Sequence, residues 1–103
     1  MAEKRGSGTK FAVRQTEKLK EPGEFRVILL NDNYTTMDFV VEILMLVFHK
    51  SEEEAARIML DVHRKGRGIV AVYPWDIAQT KADQVHSLAR ERQFPLRCVV
   101  EPV

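Results

Sequence analysis

Apolar positions along this chain follow two periods, and the switches between them mark its elements. Phe25-Arg26-Val27-Ile28-Leu29-Leu30 is a short apolar run rich in branched side chains, which predicts a buried strand. It runs directly into the polar turn Asn31-Asp32-Asn33-Tyr34-Thr35. Thr36 then has the chemistry of a helix N-cap, with Asp38 in the first turn of the helix it opens. Met37, Val40, Val41, Leu44, Met45 and Phe48 recur at three- and four-residue spacing and predict an amphipathic helix over residues 37–49. Ser51 and Glu54 form a capping box for a second helix. Its apolar face is Ala55, Ile58, Met59 and Val62, with His63 in the same stripe, and Gly66 and Gly68 are expected to stop it. Ile69 to Tyr73 reads as a second strand ended by Pro74. Asp76 is expected to cap a third helix whose inner face is Ile77, Ala78, Val85, Leu88 and Ala89. Phe94 to Val100 reads as the last strand, with Leu96, Cys98 and Val100 alternating onto one face.

The predicted order is β-α-α-β-α-β. Arg26, Arg97 and Glu101 lie opposite apolar neighbours, so the sheet should be covered on one side only. The fold class is therefore α+β: a two-layer sandwich of a three-stranded, mainly antiparallel sheet with three helices on one face. Residues 1–24 differ in kind. They hold six Lys/Arg, four Asp/Glu and few apolar residues, ending at Pro22-Gly23. They read as a flexible, weakly basic arm, leaving residues 25–103 as the folded domain.

At 103 residues and 45% apolar, the chain suits one small globular domain. A net charge of +1 gives no electrostatic reason to expect nucleic acid or an acidic membrane as a partner. There is no window of transmembrane length and no apolar leader at the start, so the cytoplasm is the expected location. The single Cys98 has no partner for an internal disulfide, which fits a reducing compartment. His49, His63 and His86 lack metal-ligand spacing, no phosphate loop is present, and Cys98 alternates with core residues. No catalytic residue, metal or cofactor is expected. Asn31, Asn33, Thr35 and Glu42 faintly echo a calcium loop, but the leading Asp and the turn glycine are missing.

Capture of a cation fits the residues better. Asp32 offers a carboxylate, Asn31 an amide and Thr35 a hydroxyl at the mouth of the first helix. If both helices lie on one face of the sheet, His63 can join them. Asn31, Asp32 and His63 would then ring an apolar hole lined by Met37, Val40, Met59 and Val62. An N-terminal amino acid presents an ammonium group beside an apolar side chain, and capture of a terminal amine is a known peptide-recognition mode. From spacing alone, Asn31 and Asp32 are more commonly plain turn formers, and methionines and valines at helical spacing are usually plain core.

Residues 25–103 resemble the ClpS family, adaptors that deliver N-degron substrates to the AAA+ unfoldase ClpA and its protease partner ClpP. The resemblance is carried by Val27-Ile28-Leu29-Leu30-Asn31-Asp32-Asn33-Tyr34-Thr35-Thr36-Met37-Asp38-Phe39-Val40 and Met59-Leu60-Asp61-Val62-His63. Ala78-Gln79-Thr80-Lys81 and Phe94-Pro95-Leu96-Arg97-Cys98 extend it. It implies that Asn31, Asp32 and His63, with Thr35 beside them, bind a free α-amino group. It also implies a side-chain pocket of Met37, Val40, Met59, Val62 and Leu96, with Met37 excluding β-branched residues. Unfoldase docking is implied for Asp76 and Lys81, on the outer side of the third helix. The implied partners are a ClpA-type unfoldase and N-degron proteins beginning with Leu, Phe, Tyr or Trp; the adaptor itself would be a monomer. The sequence departs from the family's pattern at Asn33, where a second Asp is usual, and at Thr36, where Pro is usual. It departs again at Val70-Ala71-Val72 and Tyr73-Pro74-Trp75. The same element order also resembles the C-terminal domain of the ribosomal stalk protein, an interaction module with no dependence on a free N-terminus.

Overall fold

The computed structural model describes residues 23–103; most of the predicted arm lies outside the described residues. β1 (Glu24–Leu30) is the middle strand of an antiparallel sheet, flanked by β2 (Arg67–Pro74) and β3 (Arg97–Pro102). Glu24, placed in the arm from sequence, pairs with Pro74 and belongs to β1. α1 (Met37–Leu46), α2 (Glu52–Lys65) and α3 (Trp75–Glu91) complete the order β-α-α-β-α-β in a two-layer α+β fold.

Val27 and Leu29 on β1 are fully buried and join Val40, Ile43, Leu44, Ile58, Val62, Val85, Leu96 and Cys98 in one core. β2 carries a bulge: Val27 pairs with Ala71 and Ile28 with Ile69, leaving Val70 as the extra residue. The bulge turns both Val70 and Ala71 toward the core, which is why this strand lacks clean alternation. On the outer face, Arg67 of one edge strand bonds Glu101 of the other at 3.1 Å, spanning β1 between them.

Helix boundaries follow their caps. Thr36 Oγ1 accepts from Phe39 N at 3.1 Å, and Ser51 Oγ accepts from Glu54 N at 3.1 Å, as predicted. α1 ends at Leu46, three residues short of the expected end, with Val47 at the C-cap and His49 beyond it in the left-handed conformation (φ 57). α3 differs from expectation at its start. It begins at Trp75 with Pro74 at the N-cap, so Asp76 lies in the first turn and caps nothing. The buried face of α3 is Ala78, Ala82, Val85 and Ala89, whereas Ile77 stands one position out of that stripe and is exposed. Its small residues let α3 lie close to β3, where His86 Nε2 accepts from Cys98 N at 3.0 Å and occupies an outward-facing donor of the edge strand.

α2 lies against β2 with no side chain between them at Gly68. A Cβ there would stand 2.7 Å from Val62 Cγ2 and 3.2 Å from the Ile58 carbonyl oxygen. Only Gly66 stops the helix, at φ 88. Gly68, expected to share that task, instead sets how close α2 comes to the sheet. Among the described residues no helix is long and apolar enough to cross a membrane.

Candidate functional site at the corner between the first strand and helix

The turn between β1 and α1 is organised by one carboxylate. Asp32 Oδ1 accepts from Tyr34 N at 2.8 Å and Thr35 N at 2.7 Å, and Oδ2 accepts from Thr35 Oγ1 at 2.7 Å. Partial burial alone would raise the Asp32 pKa. The bonds from the Thr35 backbone, the Thr35 hydroxyl and the Tyr34 backbone outweigh it and hold the carboxyl below the usual carboxylate range. Asp32 is therefore both the former of the turn and a fixed negative charge at its centre. Thr35, predicted beside the amine-binding groups, spends its hydroxyl proton on Asp32 and keeps only acceptor capacity for anything else.

A second link joins this turn to α2. Asn31 N donates to the Gly66 carbonyl at 2.9 Å, tying the start of the turn to the end of the helix that carries His63. The left-handed C-cap at Gly66 places that carbonyl for the bond. The result is an open cavity of about 440 Å³ with Asn31, Asp32, Thr35 and His63 on its polar side. Met37, Val40, Met59 and Val62 supply the apolar side. Val40 and Val62 are also core residues, so the floor is rigid; Met37, first residue of α1, is 45% exposed and stands at the rim. A cavity of this size accommodates one large side chain and its attached backbone.

The structure thus gathers eight of the nine residues expected to bind an N-terminal residue. Leu96 is the exception: it is 3% exposed in the core and does not line the cavity. It precedes β3 and belongs to the same core as Val40 and Val62. Asn33, Tyr34 and Thr36 also line the cavity. Their place in one unbroken polar turn between two predicted elements is the signal that could have found them.

The two residues expected at a docking face behave differently. Asp76 is exposed in the first turn of α3. Lys81 is half-buried: its Nζ donates to the Val47 carbonyl at 2.7 Å, neutralising the C-terminal end of α1, and stands 6.0 Å from the Tyr73 ring. Lys81 therefore faces α1 as well as solvent. Burial pushes the Cys98 thiol up to about 12, so it carries no thiolate at neutral pH.

The acid limb of stability follows from Asp32. Its folded pKa lies below the unfolded value of about 3.9, so the unfolded chain binds the proton more readily. The contribution is fully present above about pH 5 and is lost as pH falls through the unfolded and then the folded value. Urea midpoints should be level from neutrality to about pH 5 and then fall, and Asp32→Asn should flatten that fall.

Fold and cavity define the class: a small two-layer α+β domain with an open, carboxylate-bearing cavity at the β1–α1 corner. The chain matches the family described as "ATP-dependent Clp protease adaptor protein ClpS" over residues 20–99. It is 60% identical over 87 residues to the ATP-dependent Clp protease adapter protein ClpS of Syntrophus aciditrophicus, covering 84% of this chain and 81% of that one. The ClpS adapter of Acetivibrio thermocellus is 63% identical over 83 residues, covering 81% and 84%. Among solved structures, Agrobacterium tumefaciens ClpS2 bound to L-phenylalaninamide superposes with a TM-score of 0.78 at 42% identity, covering 81% of this chain and all of that one. The chain belongs to the ClpS family, adaptors of the ATP-dependent Clp protease. That assignment decides between the two resemblances in the sequence, against the ribosomal stalk domain.

Proposed function

We propose that the cavity binds the first residue of substrate proteins, holding its free α-amino group at Asp32, Asn31 and His63. Its bulky unbranched side chain (Leu, Phe, Tyr or Trp) would lie between Met37, Val40, Met59 and Val62. The observation that carries this reading is the ionised, hydrogen-bonded Asp32 sharing one cavity with that apolar wall. An α-amino group with a pKa of about 7.7–8.0 is cationic at neutral pH and makes charge-assisted bonds to such a carboxylate. Burying one large side chain adds about 1.5–3 kcal/mol. L-Phenylalaninamide, bound by the Agrobacterium relative, presents the same two groups: a free amine and an apolar ring on adjacent carbons. The adaptor then hands the captured protein to a ClpA-type AAA+ unfoldase in the cytoplasm, for degradation by ClpP. Asp76 and the solvent-facing part of Lys81 contribute to that docking.

Fluorescence polarisation with peptides differing only at residue one tests the binding step. Micromolar or tighter binding to Phe, Leu, Tyr and Trp, abolished by N-acetylation of the Phe peptide, is expected. Equal binding of the acetylated peptide would overturn the proposal. Affinity should also fall above about pH 8 as the amine loses its proton.

Met37 sets the selectivity in this arrangement. A β-branched residue widens at Cβ, next to the polar rim where Met37 stands. Met37→Ala should raise the affinity of Ile- and Val-initiated peptides by about tenfold or more. Affinity for Leu should fall through the lost wall contact. Unchanged exclusion of Ile would place the selectivity elsewhere.

A further inference from the structure

A second trough lies on the solvent side of α1 and shares no residue with the first cavity. Its volume is about 600 Å³; Val41, Met45 and Leu46 form an apolar floor, and Asp38, Glu42 and Glu52 line it with carboxylates. Met45 and Leu46 are 40% and 58% exposed, an uncovered apolar strip on an otherwise charged helix pair. Among the described residues, only Glu42 of the three carboxylates has a cationic side chain against it, Arg92 at 2.6 Å.

The chain itself contains a segment with the complementary pattern. Lys10-Phe11-Ala12-Val13-Arg14 places two large apolar residues between two cations, and no acidic residue occurs between positions 4 and 16. Topology brings the two within reach. The segment enters the domain at Glu24, where Phe25 pairs with Tyr73. Lys81 stands against the Tyr73 ring and holds the Val47 carbonyl, so the end of α1 bearing Met45 and Leu46 lies at the same end of the sheet. Nine residues separate Val13 from Gly23. Extended, they span up to about 35 Å, against a radius of gyration near 12 Å for a domain of this size. A tether of that length holds the segment at an effective concentration of order millimolar, enough for a weak contact to be populated.

We propose that residues 10–14 of the same chain dock in the α1–α2 trough, with Phe11 and Val13 on Met45 and Leu46 and the flanking cations against Asp38 and Glu52. The trough is thus a parking site for the N-terminal segment, separate from the N-terminal-residue cavity and independent of it. A second copy of the domain fits less well, because an acidic trough facing its twin repels.

The test uses the full chain with a nitroxide at Ala12→Cys; Cys98 is buried with a raised thiol pKa and escapes labelling. Methyl spectra of the methionines report the position of the segment. The Met45 methyl should broaden strongly, with Met59 and Met37 little affected. The broadening should vanish in Phe11→Ser/Val13→Ser and in Glu52→Lys, weaken in high salt, and return when Glu52→Lys is combined with Arg14→Glu. An unbroadened Met45, or broadening spread equally over Met37, Met45 and Met59, overturns the proposal. So does equal broadening of an unlabelled, isotope-enriched chain mixed with a labelled one, which would make the occupant another molecule.

Discussion

Asp32→Ala is expected to weaken binding of a Phe-initiated peptide by about 10- to 100-fold, the equivalent of about 1.5–3 kcal/mol. The substitution acts twice. It removes the charge proposed to face the α-amino group, and it releases Tyr34 N, Thr35 N and the Thr35 hydroxyl, which all end on this carboxylate. The turn then has no internal template, and Asn31, whose own N–H is tied to Gly66, loses a fixed neighbour. Asp32→Asn separates the two effects, because an amide oxygen can still accept the backbone bonds but carries no charge. If charge dominates, Asn and Ala should be equally defective; if the turn dominates, Asn should recover most of the affinity. Wild-type affinity in both variants would remove Asp32 from the site.

Gly68→Ala should destabilise the domain by about 1–3 kcal/mol, with each kcal/mol lowering Tm by roughly 4–8 °C. The added methyl meets Val62 Cγ2 at 2.7 Å and a backbone carbonyl of α2 at 3.2 Å. Val62 is β-branched and buried, so it has little rotamer freedom to yield. The helix must move outward instead, and it carries Met59, Val62 and His63 with it. Peptide affinity should therefore fall although Gly68 does not line the cavity. Gly66→Ala is the control, two residues away. Its Cβ meets nothing within 4 Å, and its cost is the left-handed backbone alone, about 1–2 kcal/mol. Comparable stability loss with a larger affinity loss for Gly68→Ala is the expected pattern. Equal affinities would mean that α2 accommodates the methyl without displacing His63.

Most of the architecture was legible because it rests on local chemistry. Thr36 and Ser51 cap the helices they were expected to cap, and each predicted helix and strand exists in the predicted order. The failures occur where tertiary contacts override local preference. Ile77 is apolar and near the right phase, but the stripe that faces the sheet is made of small residues that permit close approach. Asp76 is a good capping residue, yet β2 runs on through Pro74 without a break, so the helix begins one residue too early for it.

The cavity divides the same way. Asn31, Asp32 and Met37 were readable because they sit where a strand runs into a helix. His63 could be placed beside them only by assuming that the two helices share a face. Leu96 alternates with Cys98 and Val100 and lies in the core, since periodicity tells which face a residue occupies but not what lies above it.

By itself the sequence determined the elements, their order, the one-sided sheet and the turn chemistry of Asp32, all interactions among residues a few positions apart. Only the tertiary structure decided that Asn31 bonds Gly66, that Gly68 is a contact and not a stop, and that Lys81 turns back to α1. Those depend on the distance between elements remote in sequence, which packing sets and no local pattern encodes.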